Sequence, residues 1–65
     1  MLSKREREVL GLLAEGASYA QVAQRLGISA HTVTSHVKNI YRKLGVRTAA
    51  EAVARARELK LLEER

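Results

Sequence analysis

The chain has 65 residues and a formal net charge of +5, and it contains no cysteine and no proline. A chain of this length forms one domain with a small core, and without cysteine it has neither disulfides nor thiolate zinc sites. No apolar run approaches the roughly 20 residues that span a bilayer, and no signal-peptide apolar segment follows the basic start. We therefore expect residues 1-65 to form a single cytoplasmic domain that does not associate with membranes.

The positive charge is concentrated in the middle of the chain. No acidic residue stands between Gly16 and Ala50, and the two flanks hold seven basic and seven acidic residues, which cancel. The basic residues of the middle segment are Arg25, Lys38, Arg42, Lys43 and Arg47. A charge run taken alone is compatible with a solvated surface, but an acid-free stretch of this length favours a surface that binds nucleic acid.

Four helices are predicted from their capping residues. The N-cap candidates are Ser3, Ser18, Ser29 and Thr48. All except Ser29 have a Glu or Gln three residues later, which predicts a capping box. The predicted C-terminal ends are marked by Gly16, Gly27 and Gly45. The resulting helices are 4-15, 19-26, 30-44 and 49-60, and because no segment alternates like a strand, the fold class is an all-α, compact four-helix domain.

Each predicted helix has an apolar stripe that faces one common core. In the first two helices these stripes consist of Leu2, Val9, Leu10 and Leu13, and of Val22, Ala23 and Leu26. In the third helix the stripe is Val33, Val37, Ile40 and Leu44, and in the fourth it is Ala52, Val53, Ala56 and Leu59.

The second and third predicted helices are joined only by Gly27, Ile28 and Ser29. A short turn with glycine is typical of a helix-turn-helix, in which the second helix enters the major groove of DNA. Ala23 is small where the two helices approach each other, and Val33 is an apolar residue that the motif buries. Together with the acid-free basic middle, this spacing predicts a DNA-binding helix-turn-helix at the centre of the domain.

Four stretches of the sequence carry a family resemblance. They are LSKREREVLGLLAEG at 2-16, VAQRLGIS at 22-29, TVTSHVKNIYRKLGVRT at 32-48 and AEAV at 50-53, and together they cover nearly the whole chain. These stretches resemble the LuxR-type (GerE-like) DNA-binding domain of bacterial transcriptional regulators. The chain departs from the family's usual residues at Tyr19 and Ala20, where asparagine or lysine is common, and at Ala49, where arginine is common.

The resemblance implies a transcription-regulating domain whose partner is double-stranded DNA, with RNA polymerase as a further candidate partner. In this family the domain usually ends a longer protein, behind a phosphoreceiver domain, as in response regulators, or a small-molecule-binding domain. This chain begins at its first N-cap. An excised effector domain and a stand-alone regulator are therefore both compatible with the sequence.

The third helix supplies the candidate base contacts. Thr34, Ser35 and Lys38 lie opposite the apolar stripe in the turns that face base edges, and the family's base-contacting positions fall on the same three residues. Candidate contacts to the DNA backbone flank them: Thr32, Arg42, Lys43, Arg47 and Tyr19. For Tyr19 the alternative is an exposed side chain without a role.

The chain lacks the residue patterns of a metal site or an enzyme. His31 and His36 are five residues apart, which does not place them on one helical face, and no cysteine or carboxylate lies between them. His36 is expected to be a partly buried structural histidine. No aspartate and no glycine-rich phosphate loop are present. We therefore predict no metal, no cofactor and no enzymatic activity.

The fourth helix has a second feature, a seam with spacings of four, three and four residues on the side expected to face away from the core. Its members are Ala50, Ala54, Arg57 and Leu61. Alanines that serve only helix propensity are an equal alternative. Because domains of the resembled family commonly pair through this helix, we expect a weak homodimer contact here.

Two other functions are compatible with a basic helix-turn-helix. The promoter-recognising region of a sigma factor has a similar motif, but such regions usually end soon after the recognition helix, whereas here a fourth helix is predicted. A basic helical module that binds an acidic protein partner is the alternative from a different class.

Overall fold

A computed structural model describes residues 1–62 of the chain. It contains four helices, α1 (Lys4–Ala14), α2 (Tyr19–Leu26), α3 (Ala30–Leu44) and α4 (Ala49–Glu58). Residues 1–62 contain no strand. The all-α, four-helix fold class is confirmed, and α2 and α3 are the predicted helix-turn-helix pair.

The helices begin where the capping residues predict. Ser3 forms a complete capping box: its backbone N–H donates to Glu6 Oε1 at 2.8 Å, and its Oγ accepts the Glu6 N–H at 3.1 Å. Ser18 forms the same box with Gln21, also at 2.8 and 3.1 Å. Each box satisfies backbone N–H groups that have no partner within the helix.

Two starts are capped differently. Ser29 Oγ accepts the Thr32 N–H at 3.0 Å, as its lone N-cap assignment predicts. Thr48 Oγ1 accepts the Glu51 N–H at 3.1 Å, but the Glu51 carboxylate accepts from the Thr48 hydroxyl at 3.2 Å rather than from the Thr48 backbone. The prediction of a reciprocal box at Thr48 is therefore wrong, and only its N-cap half forms.

All four helices end with a backbone N–H that bonds the carbonyl five residues earlier, the bond of a Schellman motif. In α1, α2 and α3 the residue at the turn is a glycine with positive φ, as the sequence indicates. In α4 the turn residue is Lys60, with φ 59°, and Leu61 N–H donates to Ala56 O at 2.8 Å. The predicted ends at 15 and 60 are thus one and two residues too long.

The core is built from all four helices. Its buried apolar residues are Leu2, Val9, Leu10, Val22, Ala23, Val33, Val37, Ile40, Leu44, Ala52 and Ala56. The stripe of α3 is buried in full, as predicted. In α4 only Ala52 and Ala56 are buried, Val53 is partly buried, and Leu59 is 40% exposed. The assignment of Leu59 to the core is wrong because this residue caps α4 at the point where the chain turns.

Helix α3 contacts each of the other three helices, α1, α2 and α4. Its four stripe residues fill the space between these neighbours. Burial of apolar side chains is the main favourable contribution to folding. The rotation of α3 about its own axis is therefore set by the core, and its polar face is directed outward.

A buried ion pair links the start of α1 to the end of α3. Glu6 is 4% exposed and is the one charged residue in the buried set of residues 1–62. Its Oε1 accepts from Lys43 Nζ at 2.8 Å and from the Ser3 N–H at 2.8 Å. Burial raises the pKa of Glu6, but these hydrogen bonds and the Lys43 charge outweigh it, so that the pKa lies below its ordinary value.

We expect Lys43→Met to destabilise the domain by about 1–3 kcal/mol, because the Glu6 carboxylate stays buried after losing its cationic partner. For a domain of this size, each kcal/mol lowers Tm by about 4–8 °C. Lys38→Met is the matched control. It changes the same side chain on an exposed position of α3, and its effect should stay within about 0.5 kcal/mol. Thermal unfolding followed by circular dichroism measures both, and equal melting of the two variants would show that the ion pair does not stabilise the fold.

The lowered pKa of Glu6 predicts a specific loss of stability in acid. A group whose pKa is depressed by folding adds stability that is complete above its unfolded pKa and is lost as pH falls through the folded pKa. The free energy of unfolding should therefore fall below about pH 4.3, and fall more steeply in the wild type than in Glu6→Gln. Urea titrations across this range test the difference; parallel pH profiles would contradict it.

Candidate nucleic-acid interface

The outward face of α3 carries the predicted base contacts. Ser35 and Lys38 are exposed and Thr34 is half-buried, whereas Val33 and Val37 on the opposite side are buried. The spacings of three and four residues between these polar positions place them side by side on one helical surface. Lys38 makes no hydrogen bond or ion pair with any residue in the described part of the chain. Its ammonium group is therefore available to a ligand.

The hydroxyl groups at the start of α3 are partly occupied. Thr34 Oγ1 donates to Ala30 O at 3.1 Å, so its proton is used and it offers an acceptor and a methyl group. Thr32 Oγ1 lies 2.8 Å from Ser29 Oγ in the cap of the helix. Thr32 thus has a capping role that the sequence analysis did not include, beside its predicted contact to the DNA backbone.

Basic side chains lie at the other end of α3. Arg42 is exposed, and its Nη2 donates to Asn39 Oδ1 at 2.9 Å, which holds the guanidinium along the helix surface. Arg47 is exposed in the turn between α3 and α4. No acidic side chain lies on α2, on α3 or in the turns after them, so this surface has one sign of charge.

Lys43 differs from the other cations because it is already paired. The sequence analysis placed it among the candidate contacts to the DNA backbone. The structure places its ammonium 2.8 Å from the buried Glu6 carboxylate while 37% of the side chain remains exposed. Lys43 therefore has a structural role in an ion pair that the sequence analysis did not include, and the phosphate contact remains a prediction.

Tyr19 stands at the first residue of α2 and is 37% exposed. Its neighbour on α3 is Tyr41, which is partly buried against the core. Burial raises the pKa of the Tyr41 hydroxyl, and the hydroxyl of Tyr19 raises it further. Tyr19 is thus placed against the side of α3. Tyr41 was not singled out from the sequence because its position between the stripe and the flank gives no distinct periodic signal.

The predicted pairing seam on α4 is only partly present. Ala50 and Ala54 are exposed on the helix, as expected. Because the helix ends at Glu58, Leu61 does not continue the spacing and instead packs against the core. Arg57 is half-buried, its Nε has no hydrogen-bond partner within residues 1–62, and it lines a groove against α1 together with Leu61. The placement of Arg57 and Leu61 on an outward face is therefore wrong.

Both histidines lie on α3. His31 is exposed, and His36 is half-buried, as the sequence analysis expected. Among residues 1–62, no group of three or more His, Cys, Asp or Glu side chains is placed to hold a metal ion.

None of the helices of residues 1–62 reaches both the length and the hydropathy of a membrane span.

Comparisons with known proteins agree with this geometry. The family model described as "Bacterial regulatory proteins, luxR family" matches residues 1–56. The probable transcriptional regulatory protein SgaR of Hyphomicrobium methylovorum is 55% identical over 53 residues, which are 82% of this chain and 25% of that protein. The HTH-type transcriptional regulator MalT of Serratia proteamaculans is 45% identical over 58 residues, 89% of this chain and 6% of that protein. The chain thus spans a quarter or less of these relatives.

Solved structures share the fold. The response regulator ChrA of a heme-sensing two-component system superposes with a TM-score of 0.91 and 44% identity, over 94% of this chain and 30% of that one. The transcription factor GerE superposes with a TM-score of 0.91 and 35% identity, over 95% of this chain and 92% of that one. This chain belongs to the luxR family of bacterial regulatory proteins, as a helix-turn-helix DNA-binding domain of transcriptional regulators and not as an enzyme.

Proposed function

We propose that the domain binds double-stranded DNA sequence-specifically, as the effector part of a bacterial transcriptional regulator, with α3 in the major groove. The observation that carries this proposal is the division of α3 into two faces. One face is buried against the other three helices, and the other presents Thr34, Ser35 and Lys38 to solvent. The major groove of DNA is wide enough to admit an α-helix, and lysine is a common hydrogen-bond partner of guanine O6 and N7.

Within this proposal the flanking residues hold the domain on the DNA backbone. They are Thr32, Arg42, Lys43, Arg47 and Tyr19, which lie at the two ends of α3, in the turn after it and at the start of α2. Contacts to phosphate fix the position and orientation of a protein on the duplex but do not read its sequence. A regulator that acts in this way works in the cytoplasm, and RNA polymerase is a proposed partner.

The family match disfavours a sigma-factor region, and the packing agrees with it. Helix α4 supplies Ala52 and Ala56 to the core, so the fold includes the fourth helix as a structural part. A basic module for an acidic protein partner has no specific observation in its favour.

Two single-charge variants separate base contacts from backbone contacts. Lys38→Ala should cost roughly 1–3 kcal/mol on the preferred duplex and relax base choice at one position of each half-site. Arg47→Ala should weaken binding about equally on all sequences and reduce the log–log salt slope by about one per monomer. Selection from a randomised duplex library, with titrations at several salt concentrations, measures both.

The same two variants, Lys38→Ala and Arg47→Ala, also test the proposed orientation of α3 in the major groove. If Arg47→Ala changed base preference and Lys38→Ala did not, the orientation of α3 in the groove would differ from the one proposed.

The salt dependence of binding is a separate prediction. If each monomer neutralises about four phosphates, a plot of log affinity against log salt concentration for the bound dimer should have a slope near −7. A slope near zero would contradict the electrostatic argument.

We further propose that two copies pair on inverted half-sites through the exposed part of α4. The supporting feature is Ala50 and Ala54, which stand one helical turn apart and are both exposed. Small side chains allow two helices to approach closely. Because the shared patch is small, the pair forms weakly without DNA.

Ala54→Glu tests this pairing, because it places a charge at the centre of the proposed contact without entering the core. Binding to two inverted half-sites spaced by about one helical turn should weaken, while binding to a single half-site should stay nearly unchanged. Gel shifts on the two duplexes give the comparison. An equal loss on both would place Ala54 at the DNA instead of at a partner.

A further inference from the structure

We propose that Glu6, a residue outside the helix-turn-helix, is a positioning residue for DNA binding that acts through Lys43. Its buried carboxylate holds the Lys43 ammonium at the end of α3, from which Lys43 contacts a phosphate of the DNA backbone. This inference rests on the proposed function, in which Lys43 is a backbone contact, and it gives α1 an indirect part in that contact.

The carboxylate is itself held in place. The Ser3 backbone N–H donates to Glu6 Oε1 at 2.8 Å, and Ser3 Oγ accepts the Glu6 N–H at 3.1 Å, so both ends of the residue are fixed by the N-cap of α1. The Glu6 side chain is 6% exposed. A phosphate approaching from solvent therefore meets Lys43 first, with the negative charge of Glu6 behind it.

The lysine has binding capacity left. An ammonium group has three N–H donors, and the hydrogen bond of 2.8 Å to Glu6 Oε1 uses one of them. The Lys43 side chain is 37% exposed, on the flank of α3 that leads to Arg47. A lysine held by a buried partner loses less side-chain entropy when it binds a phosphate than a free lysine does.

Positioning of Lys43 and simple charge attraction predict opposite effects on DNA affinity when Glu6 is replaced by a neutral residue. Loss of a negative charge should strengthen the attraction of the domain for DNA. Loss of the anchor should weaken it, because Lys43 then has to be ordered during binding. Glu8 is the matched control: it lies on the same helix, is 44% exposed, and within residues 1–62 pairs only with Arg5, at 3.6 Å.

The experiment compares Glu6→Met with Glu8→Met by fluorescence anisotropy on the preferred duplex, at a temperature where circular dichroism shows both to be folded. We expect Glu8→Met to bind as tightly as the wild type or more tightly. Glu6→Met should bind up to about fivefold more weakly, because an exposed charge pair such as that of Lys43 with a phosphate contributes at most about that factor.

All variants are also made in a Lys60→Gly background. Lys60 has a φ of 59°, which glycine adopts without strain, so this change stabilises the fold and keeps Glu6→Met folded for the measurement. Lys60 has no place in the proposed DNA contacts, and the change is common to every variant compared.

Lys43→Met completes the cycle. This change should weaken binding and reduce the magnitude of the log–log salt slope by about one per monomer. When Lys43 is already replaced by Met, adding Glu6→Met should cause no further loss of affinity. If Glu6→Met binds as tightly as Glu8→Met while Lys43→Met binds weakly, positioning by Glu6 is overturned and the phosphate contact stands. If Lys43→Met binds like the wild type, both are overturned, whereas the effect of Lys38→Ala on base choice still tests the proposed function separately.

Discussion

The burial of one face of α3 is the constraint on which the rest of the molecule depends. Val33, Val37 and Ile40 are enclosed by the other three helices, and in a small core a rotation of α3 would expose all of them together. The outward direction of Lys38 is therefore a consequence of packing and does not depend on any contact that Lys38 itself makes. In the proposed function, stability and recognition thus use the two faces of the same helix, which allows the polar face to vary without loss of the fold.

The ion pair between Glu6 and Lys43 adds a second restraint at the end of α3. A buried pair of this kind adds less net stability than its geometry suggests, because both charges lose hydration. Its effect on structure is more specific, since it joins the N-cap of α1 to the last turn of α3 across 37 residues of sequence. The partial exposure of Lys43 leaves the pair in contact with the surface proposed to face DNA.

Local chemistry explains which parts of the fold were predictable. Each helix start is encoded by a Ser or Thr hydroxyl that accepts the backbone N–H three residues later. Three helix ends are encoded by a glycine with positive φ. The end of α4 carries no such mark, because Lys60 occupies the left-handed position. The Glu6 pair was missed for a different reason, since no periodicity relates two residues so far apart in sequence. The exposed face of α3 followed from its apolar stripe alone.

The early end of α4 also bears on pairing. Extension of the helix to residue 60 would have given a seam of three turns, but the chain turns after Glu58 and Leu61 folds back onto the core. The outward patch then consists of Ala50 and Ala54, whose small side chains bury far less than the roughly 1,200 Å² of a stable interface. A contact of this size adds little free energy by itself. In the proposed pairing on inverted half-sites, the contact becomes effective when DNA already holds two copies side by side, because it is then made at a high effective concentration.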